Sequence, residues 1–393
     1  MAGKMLEKMG KYNFDEIVPR RGTNSCKWDT PAEGVLPMWV ADMDFRTAPC
    51  VTEALRRRVE HGIFGYVKVP QSYYDAVIDW FRERHGVRFE RDRFICTSGV
   101  VPAISAIIKA LTRPGDKVIV QPPVYNCFFS SIRNNGCEML PNRLLRDGLS
   151  WRMDFDDLEA KASDQKAKVM ILCNPHNPVG RVWTEEELRG VGEICLRNNV
   201  FVISDEIHCE LTYPGHDYTP FASLSEELRL RSATCISPSK AFNIAGLQIA
   251  NIIAEDCEIL SRIDRAININ EVCDVNPFGV EATLAAYSPE GADWLDELRG
   301  YLYDNYMTVK VFFSEHIPQC PVTELEGTYL VWIDISATGL NADEVTALLL
   351  DEQKLMVNSG SMYGPGGENF IRLNIACPRS LLLAGLERLS RAL

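Results

Sequence analysis

From Phe94 onward the chain alternates short, uninterrupted apolar runs with stretches in which apolar residues recur every three or four positions. Phe94–Thr97, Val118–Gln121, Val169–Cys173, Phe201–Ser204, Thr234–Ile236 and Ile249–Ala254 are too short for helices, and they lack the in–out alternation of a half-exposed strand. They are expected to be strands buried on both faces. Between them, 102–112, 125–134, 184–198 and 226–231 carry helical spacing. This alternation predicts an α/β domain: a mostly parallel, seven-stranded sheet covered by helices on both faces.

Before this region, 36–45 is an apolar segment carrying Asp42 and Asp44, expected to pack down as irregular chain. Helical patterns follow from Pro49 through Arg58 and from Tyr73 to Arg84, separated by a Gly62–Tyr66 break. After Asn276-Pro277 the alternation stops. A long helical region runs through Trp294, Tyr301 and Phe313, followed by a strand at 327–334, a helix at 344–352, the glycine-rich loop 359–367 and a strand at 370–375. The expected organisation is an N-terminal segment 1–48 packing with a small domain, a large domain 49–285, and a smaller α+β domain 286–393.

Composition adds exclusions. With 41 Lys+Arg against 54 Asp+Glu, the net charge of −13 argues against a nucleic-acid-binding surface. Arg56-Arg57-Arg58 is the one short arginine run and fits a solvated helix face. The 13 cysteines are scattered without a CxxC pair, which favours reduced thiols in the cytoplasm over disulfides or a metal site. The first residues lack the apolar core of a signal peptide, and no apolar run reaches the ~18 residues of a membrane span.

Ligands of α/β sheets sit beyond the carboxyl ends of the strands, and those ends carry an unusual set of groups here. The first predicted strand runs into Ser98-Gly99-Val100-Val101, a helix start suited to a phosphate. The second runs into Pro122-Pro123-Val124-Tyr125, placing an aromatic ring at the rim. The third ends in Asn174-Pro175-His176-Asn177-Pro178-Val179-Gly180, the fourth in Asp205-Glu206-Ile207-His208, and the fifth in Ser237-Pro238-Ser239-Lys240. A desolvated lysine amine attacks aldehydes to form a Schiff base, serines bind phosphate, and a buried carboxylate pairs a protonated pyridinium. Pyridoxal phosphate unites these needs. Arg372, inside a predicted strand, is either a buried salt-bridge partner or a fork for a substrate carboxylate. Ser237-x-x-Lys240 also matches a serine-hydrolase signature, but neither a Lys-Thr-Gly strand nor a Ser-Asp-Asn triplet accompanies it.

Taken in order, Asn-Pro-His-Asn-Pro-x-Gly, Asp-Glu-x-His, Ser-x-Ser-Lys-x-Phe-Asn-x-x-Gly and Arg-Leu-Asn resemble the fold-type I pyridoxal-phosphate enzymes of the class I/II aminotransferase superfamily. Pro37–Phe45, Phe64-Gly65-Tyr66, Pro122–Tyr125 and Ser359–Gly364 narrow the resemblance to the cystathionine β-lyase and C–S lyase group. The resemblance implies that Lys240 carries the cofactor as a Schiff base, Asp205 pairs the pyridinium, Asn177 bonds the ring hydroxyl and Tyr125 stacks on the ring. It implies further that Gly99, Val100, Val101, Ser237 and Ser239 surround the phosphate, with His208 beside the cofactor. Arg372 and the Ala41 backbone would hold the substrate carboxylate. Tyr66 would reach the phosphate of a neighbouring subunit in a homodimer with shared active sites. Gln248 stands where many aminotransferases have a phosphate-binding arginine, and His208 where many have a tyrosine. Both departures favour the lyase branch. The implied reaction is β-elimination of cystathionine or related cysteine S-conjugates. An aminotransferase would use the same residues, and some relatives act as regulatory proteins that bind a transcription activator.

Overall fold

A computed structural model describes residues 10–271 and 274–393. Its centre is a seven-stranded sheet of β1 (Phe94–Thr97), β2 (Lys117–Val120), β3 (Glu138–Pro141), β4 (Ala167–Cys173), β5 (Phe201–Asp205), β6 (Ser232–Ile236) and β7 (Ala250–Ala254). The spatial order is β1-β7-β6-β5-β4-β2-β3, and only β7 runs antiparallel to its neighbours. The carboxyl ends of β1, β2, β4, β5 and β6 therefore open on one edge of the sheet. Val118, Val120, Val169, Ile171, Ile203 and Cys235 face one apolar layer, while Ile119, Met170, Leu172 and Val202 face another. Apolar contacts on both sides explain why these strands read as continuous runs rather than alternating ones.

Six of the strands fall where the hydrophobic runs place them, shifted at their ends by no more than two residues. The seventh, β3, is an edge strand whose Glu138 and Met139 are exposed and which ends in Pro141, so it carries no buried apolar run. Helices Val100–Leu111, Cys127–Asn134 and Glu185–Arg197 fill the predicted intervals. The last begins with a reciprocal cap between Thr184 and Glu187. Arg56 and Arg57 lie exposed on helix Pro49–His61, each near Glu53, as a solvated face requires.

The C-terminal part contains the 28-residue helix Pro289–His316 and a three-stranded sheet of β8 (Leu330–Asp334), β9 (Asn358–Ser359) and β10 (Phe370–Asn374), ordered β8-β10-β9. Arg372 lies on the central strand, opposite Trp332 on one side and Asn358 on the other. The 36–45 segment forms no helix: Leu36-Pro37 pairs with Leu355-Met356, and the chain then crosses towards the carboxyl edge of the large sheet. Four side chains hold this crossing by its backbone. Asn374 donates to Val40 O and Asp42 O, Asn358 and Arg372 donate to Trp39 O, and Asn243 bonds Met43 N, Met43 O and Phe45 O. Beneath it, the buried Lys27 amine meets Asp44 at 2.7 Å, and Arg20 reaches both Asp44 and Asp42. No helix among the described residues is long and apolar enough to cross a membrane.

Candidate active site

The five strand ends converge on one cavity of about 190 Å³. Its wall contains Lys240, Asp205, Asn177, Tyr125, His208 and Ser239, together with Gly99, Val100, Val101 and Ala41.

Lys240 leaves the end of β6 partly buried, and its Nζ donates to the Ala41 carbonyl at 2.7 Å. Burial, reinforced by the nearby Arg372 guanidinium, lowers its proton affinity from the ordinary 10.5 to about 8, against the opposing pull of Asp42 and Asp205. An appreciable fraction is thus the neutral, nucleophilic amine near neutral pH.

Asp205 ends β5 and is buried. Its Oδ1 accepts the Ile207 N–H at 3.2 Å, and no cation stands within ion-pair distance among the described residues. Burial pushes its carboxyl up to about 7, with the neighbouring Glu206 adding to the rise. This buried acid has a cost with a definite sign. The folded state holds a proton from about 7 downward, whereas the unfolded chain does so only below 3.8. Folding stability therefore falls as pH rises from 3.8 to about 7, and the full penalty stands above that window. Cofactor-free Asp205→Asn should melt at a higher temperature than wild type at pH 8, with the advantage shrinking as pH is lowered from about 7 towards 4. The same variant should hold pyridoxal phosphate more weakly. Thermal melts of both cofactor-free proteins across pH check the first expectation, and equilibrium dialysis checks the second.

Asn177 sits on the turn after β4, and its Oδ1 accepts from Arg372 Nη1 at 3.0 Å. Arg372 itself is buried, with Nη2 bonded to Trp39 O at 2.9 Å and the guanidinium 5.0 Å from the Tyr363 ring centre, and it reaches the cavity wall through Asn177. Its Nε has no hydrogen-bond partner, and no carboxylate pairs with it among the described residues. The salt-bridge alternative for Arg372 is thus not realised. A buried guanidinium without an anion is costly unless a ligand brings one.

At the end of β1, Gly99 caps helix Val100–Leu111, whose first intrahelical bond is Ala103 N to Gly99 O at 3.0 Å. The N–H groups of Val100 and Val101 precede that bond and are available to an anion at the helix start. His208 is buried on the cavity wall with its ring roughly perpendicular to that of Tyr329, and its Nδ1 has no partner among the described residues. Burial, with the Lys240 and Arg372 cations, drops its proton affinity to about 3, so it is a neutral imidazole. His176, in the turn after β4, is spent structurally: its Nε2 contacts Pro123 O at 3.0 Å, tying that turn to the loop carrying Tyr125.

Three expected residues, Ser237, Tyr66 and Arg372, stand off the cavity wall, and Arg372 reaches it only through Asn177. Ser237 is not on the cavity wall; its hydroxyl donates to Ile249 O at 2.6 Å and contacts the Ser239 hydroxyl, so it supports Ser239 from behind. Spacing alone could not tell which serine faces the cavity. Tyr66 is fully exposed and touches no part of its own chain's cavity, beside exposed Ile63 and Phe64. Gln248 is likewise exposed and off the wall. Sequence reasoning also missed Tyr329, whose hydroxyl donates to Ala41 O at 2.9 Å.

The fold and the cavity together define an α/β enzyme with an amine and a buried acid at one edge of the large sheet, and an unpaired guanidinium from the small sheet bonded to the wall residue Asn177. Residues 34–389 match the family described as aminotransferase class I and II, and the chain belongs to that family. Cystathionine beta-lyase PatB of Bacillus subtilis is 45% identical, over 97% of this chain and 100% of its own. Among solved structures, cystalysin from Treponema denticola, which contains pyridoxal 5′-phosphate, is 34% identical at a TM-score of 0.94, covering 97% of this chain and 98% of that one. The pyridoxal-phosphate-bound C–S lyase from Staphylococcus hominis is 33% identical at a TM-score of 0.90, with the same coverage.

The donor set of this chain fits that cofactor. Asp205 is a buried carboxyl in want of a cation, the Val100 and Val101 N–H groups suit a phosphate, and the orphaned His208 Nδ1 suits a polar ring substituent. Lys240 supplies an amine of lowered proton affinity.

Proposed function

We propose that this protein is a pyridoxal-phosphate-dependent carbon–sulfur β-lyase that converts cystathionine or other cysteine S-conjugates, with water, to a thiol, pyruvate and ammonia. The observation that carries the reading is the pairing of a lysine amine on the cavity wall, poised near neutrality, with a buried arginine that is bonded to the wall residue Asn177 and has no carboxylate partner among the described residues. The 45% identity to a cystathionine β-lyase supports the choice of substrate.

Lys240 and Asp205 hold the cofactor, with Asn177, Tyr125 and His208 around its ring and Val100, Val101 and Ser239 at its phosphate. When bound, pyridoxal phosphate supplies a sink for the electron pair left at the substrate Cα. Arg372 receives the substrate carboxylate, using a guanidinium already fixed by Asn177 and Trp39 O. Lys240 Nζ takes the Cα proton, which its lowered proton affinity permits near neutral pH. Departure of sulfur from Cβ as thiolate then completes elimination, and hydrolysis of the remaining three-carbon amine gives pyruvate and ammonia.

The reading includes a cytoplasmic homodimer in which a second copy covers Ile63, Phe64 and Tyr66 and receives Tyr66 at its phosphate site. It also includes a cofactor-holding domain at 49–285 and a small domain at 286–393 joined by segment 1–48. The direct test supplies cystathionine to the wild-type holoenzyme and follows free thiol. Sustained thiol release is expected, and none above the enzyme-free rate would overturn the assignment.

A further inference from the structure

Lys240 Nζ and the Tyr329 hydroxyl converge on a single acceptor, the Ala41 carbonyl, at 2.7 and 2.9 Å. Tyr329 is 1% exposed and stands just before β8, where Ile375 N bonds its carbonyl at 3.0 Å. Burial, reinforced by Asp42, holds its phenol protonated, so towards Ala41 it is a permanent neutral donor. The carbonyl cannot swing away to serve one donor alone. Asn374 holds the carbonyls on either side of it, Val40 O and Asp42 O, while Asn243 fixes the chain at Met43.

We propose that Tyr329 is a positioning residue that keeps the Lys240 amine reactive near neutral pH by sharing the Ala41 carbonyl with it. A carbonyl that already accepts one hydrogen bond has less negative charge to offer a second donor. The ammonium form of Lys240, with three N–H donors and a full charge, gains more from an unshared carbonyl than the neutral amine does. Tyr329 therefore opposes the protonated form. Its effect adds to that of Arg372, against Asp42, Asp205 and Cys127, with the neutral His208 imidazole alongside. Of these, Asp42 and Arg372 also act on Tyr329, together with Tyr213 and Tyr125, and all remain in place when only the hydroxyl is removed.

The inference rests on Lys240 as the cofactor lysine, and it holds whether turnover ends in elimination or amino transfer. The test follows capture of pyridoxal 5′-phosphate by the cofactor-free full-length chain, using visible absorbance between about pH 6 and about pH 9, because capture needs the unprotonated amine. Wild type should reach half its limiting rate near pH 8. Tyr329→Phe should capture about two- to tenfold more slowly at neutral pH and reach the same limit at high pH, the size of one lost hydrogen bond. Replacing Tyr329 by 3-fluorotyrosine, which keeps the shape and donates more strongly, should shift the profile the other way, and it decides the matter should the phenylalanine variant not fold. An unchanged profile, or a loss equal at every pH, would overturn the role of Tyr329 while leaving Lys240 as the cofactor lysine. Failure of wild type to attach the cofactor at Lys240, read by peptide mapping after borohydride reduction, would overturn both.

Discussion

Replacing Lys240 with alanine should lower turnover of cystathionine by roughly 10⁴-fold or more, because one side chain supplies both the cofactor attachment and the base at Cα. The loss should come with an intact fold. Lys240 is only partly buried and makes one hydrogen bond, to Ala41 O, and that carbonyl keeps Tyr329 as a donor when the lysine is gone. The variant should also release its cofactor on dialysis, and borohydride should no longer fix cofactor to the chain. Circular dichroism together with a turnover assay separates this outcome from misfolding. Lys240→Arg should be nearly as inactive, since a guanidinium does not give up its proton in this pH range. Retention of more than about a hundredth of wild-type turnover in Lys240→Ala would place the base elsewhere.

Arg372→Lys should lower kcat/KM for amino-acid substrates by roughly 10²- to 10³-fold, chiefly through KM, while cofactor content stays close to wild type. The reasoning is geometric. The Arg372 guanidinium spends one nitrogen on Asn177 and one on Trp39 O, leaving Nε without a partner and the charge without an anion among the described residues. A lysine keeps the charge but loses the planar fork that could satisfy those two anchors and a carboxylate together. A substrate amine lacking the carboxylate should discriminate poorly between wild type and variant, and this comparison checks that Arg372 acts on the carboxylate. Arg372→Ala carries a second consequence. It removes the cation that helps depress the Lys240 proton affinity, so its residual activity should move to higher pH.

The chain shows its central sheet openly because β4, β5 and β6 are buried on both faces and leave uninterrupted apolar runs. Lys240, Asp205, Asn177 and Tyr125 were legible for a related reason: strand ends on one edge of an α/β sheet converge, so their residues can be listed before their distances are known. What pairs with a buried group was not legible. Arg372 fitted a salt bridge and a substrate site equally well until its surroundings showed amide and carbonyl partners alone. Ser237 and Ser239 lie two residues apart, yet one faces the cavity and the other turns to Ile249 O, a difference set by the turn after β6. Tyr329 was hidden inside an apolar strand pattern, since nothing in Gly327–Asp334 marks one aromatic hydroxyl as aimed at a backbone carbonyl 288 residues away. The edge strand β3 escaped because exposure and Pro141 remove the very signal that reveals the inner strands.

The lyase reading separates from amino transfer on product stoichiometry. Elimination regenerates the enzyme with water alone, whereas amino transfer leaves the amino group on the cofactor until a keto acid removes it. The deciding measurement incubates the holoenzyme with a large excess of cystathionine and no keto acid, and follows pyruvate and homocysteine together. Equal amounts of both, rising through many turnovers, are the predicted result. Pyruvate that fails to form, or turnover that stops at one equivalent per active site until a keto acid is added, would contradict the assignment.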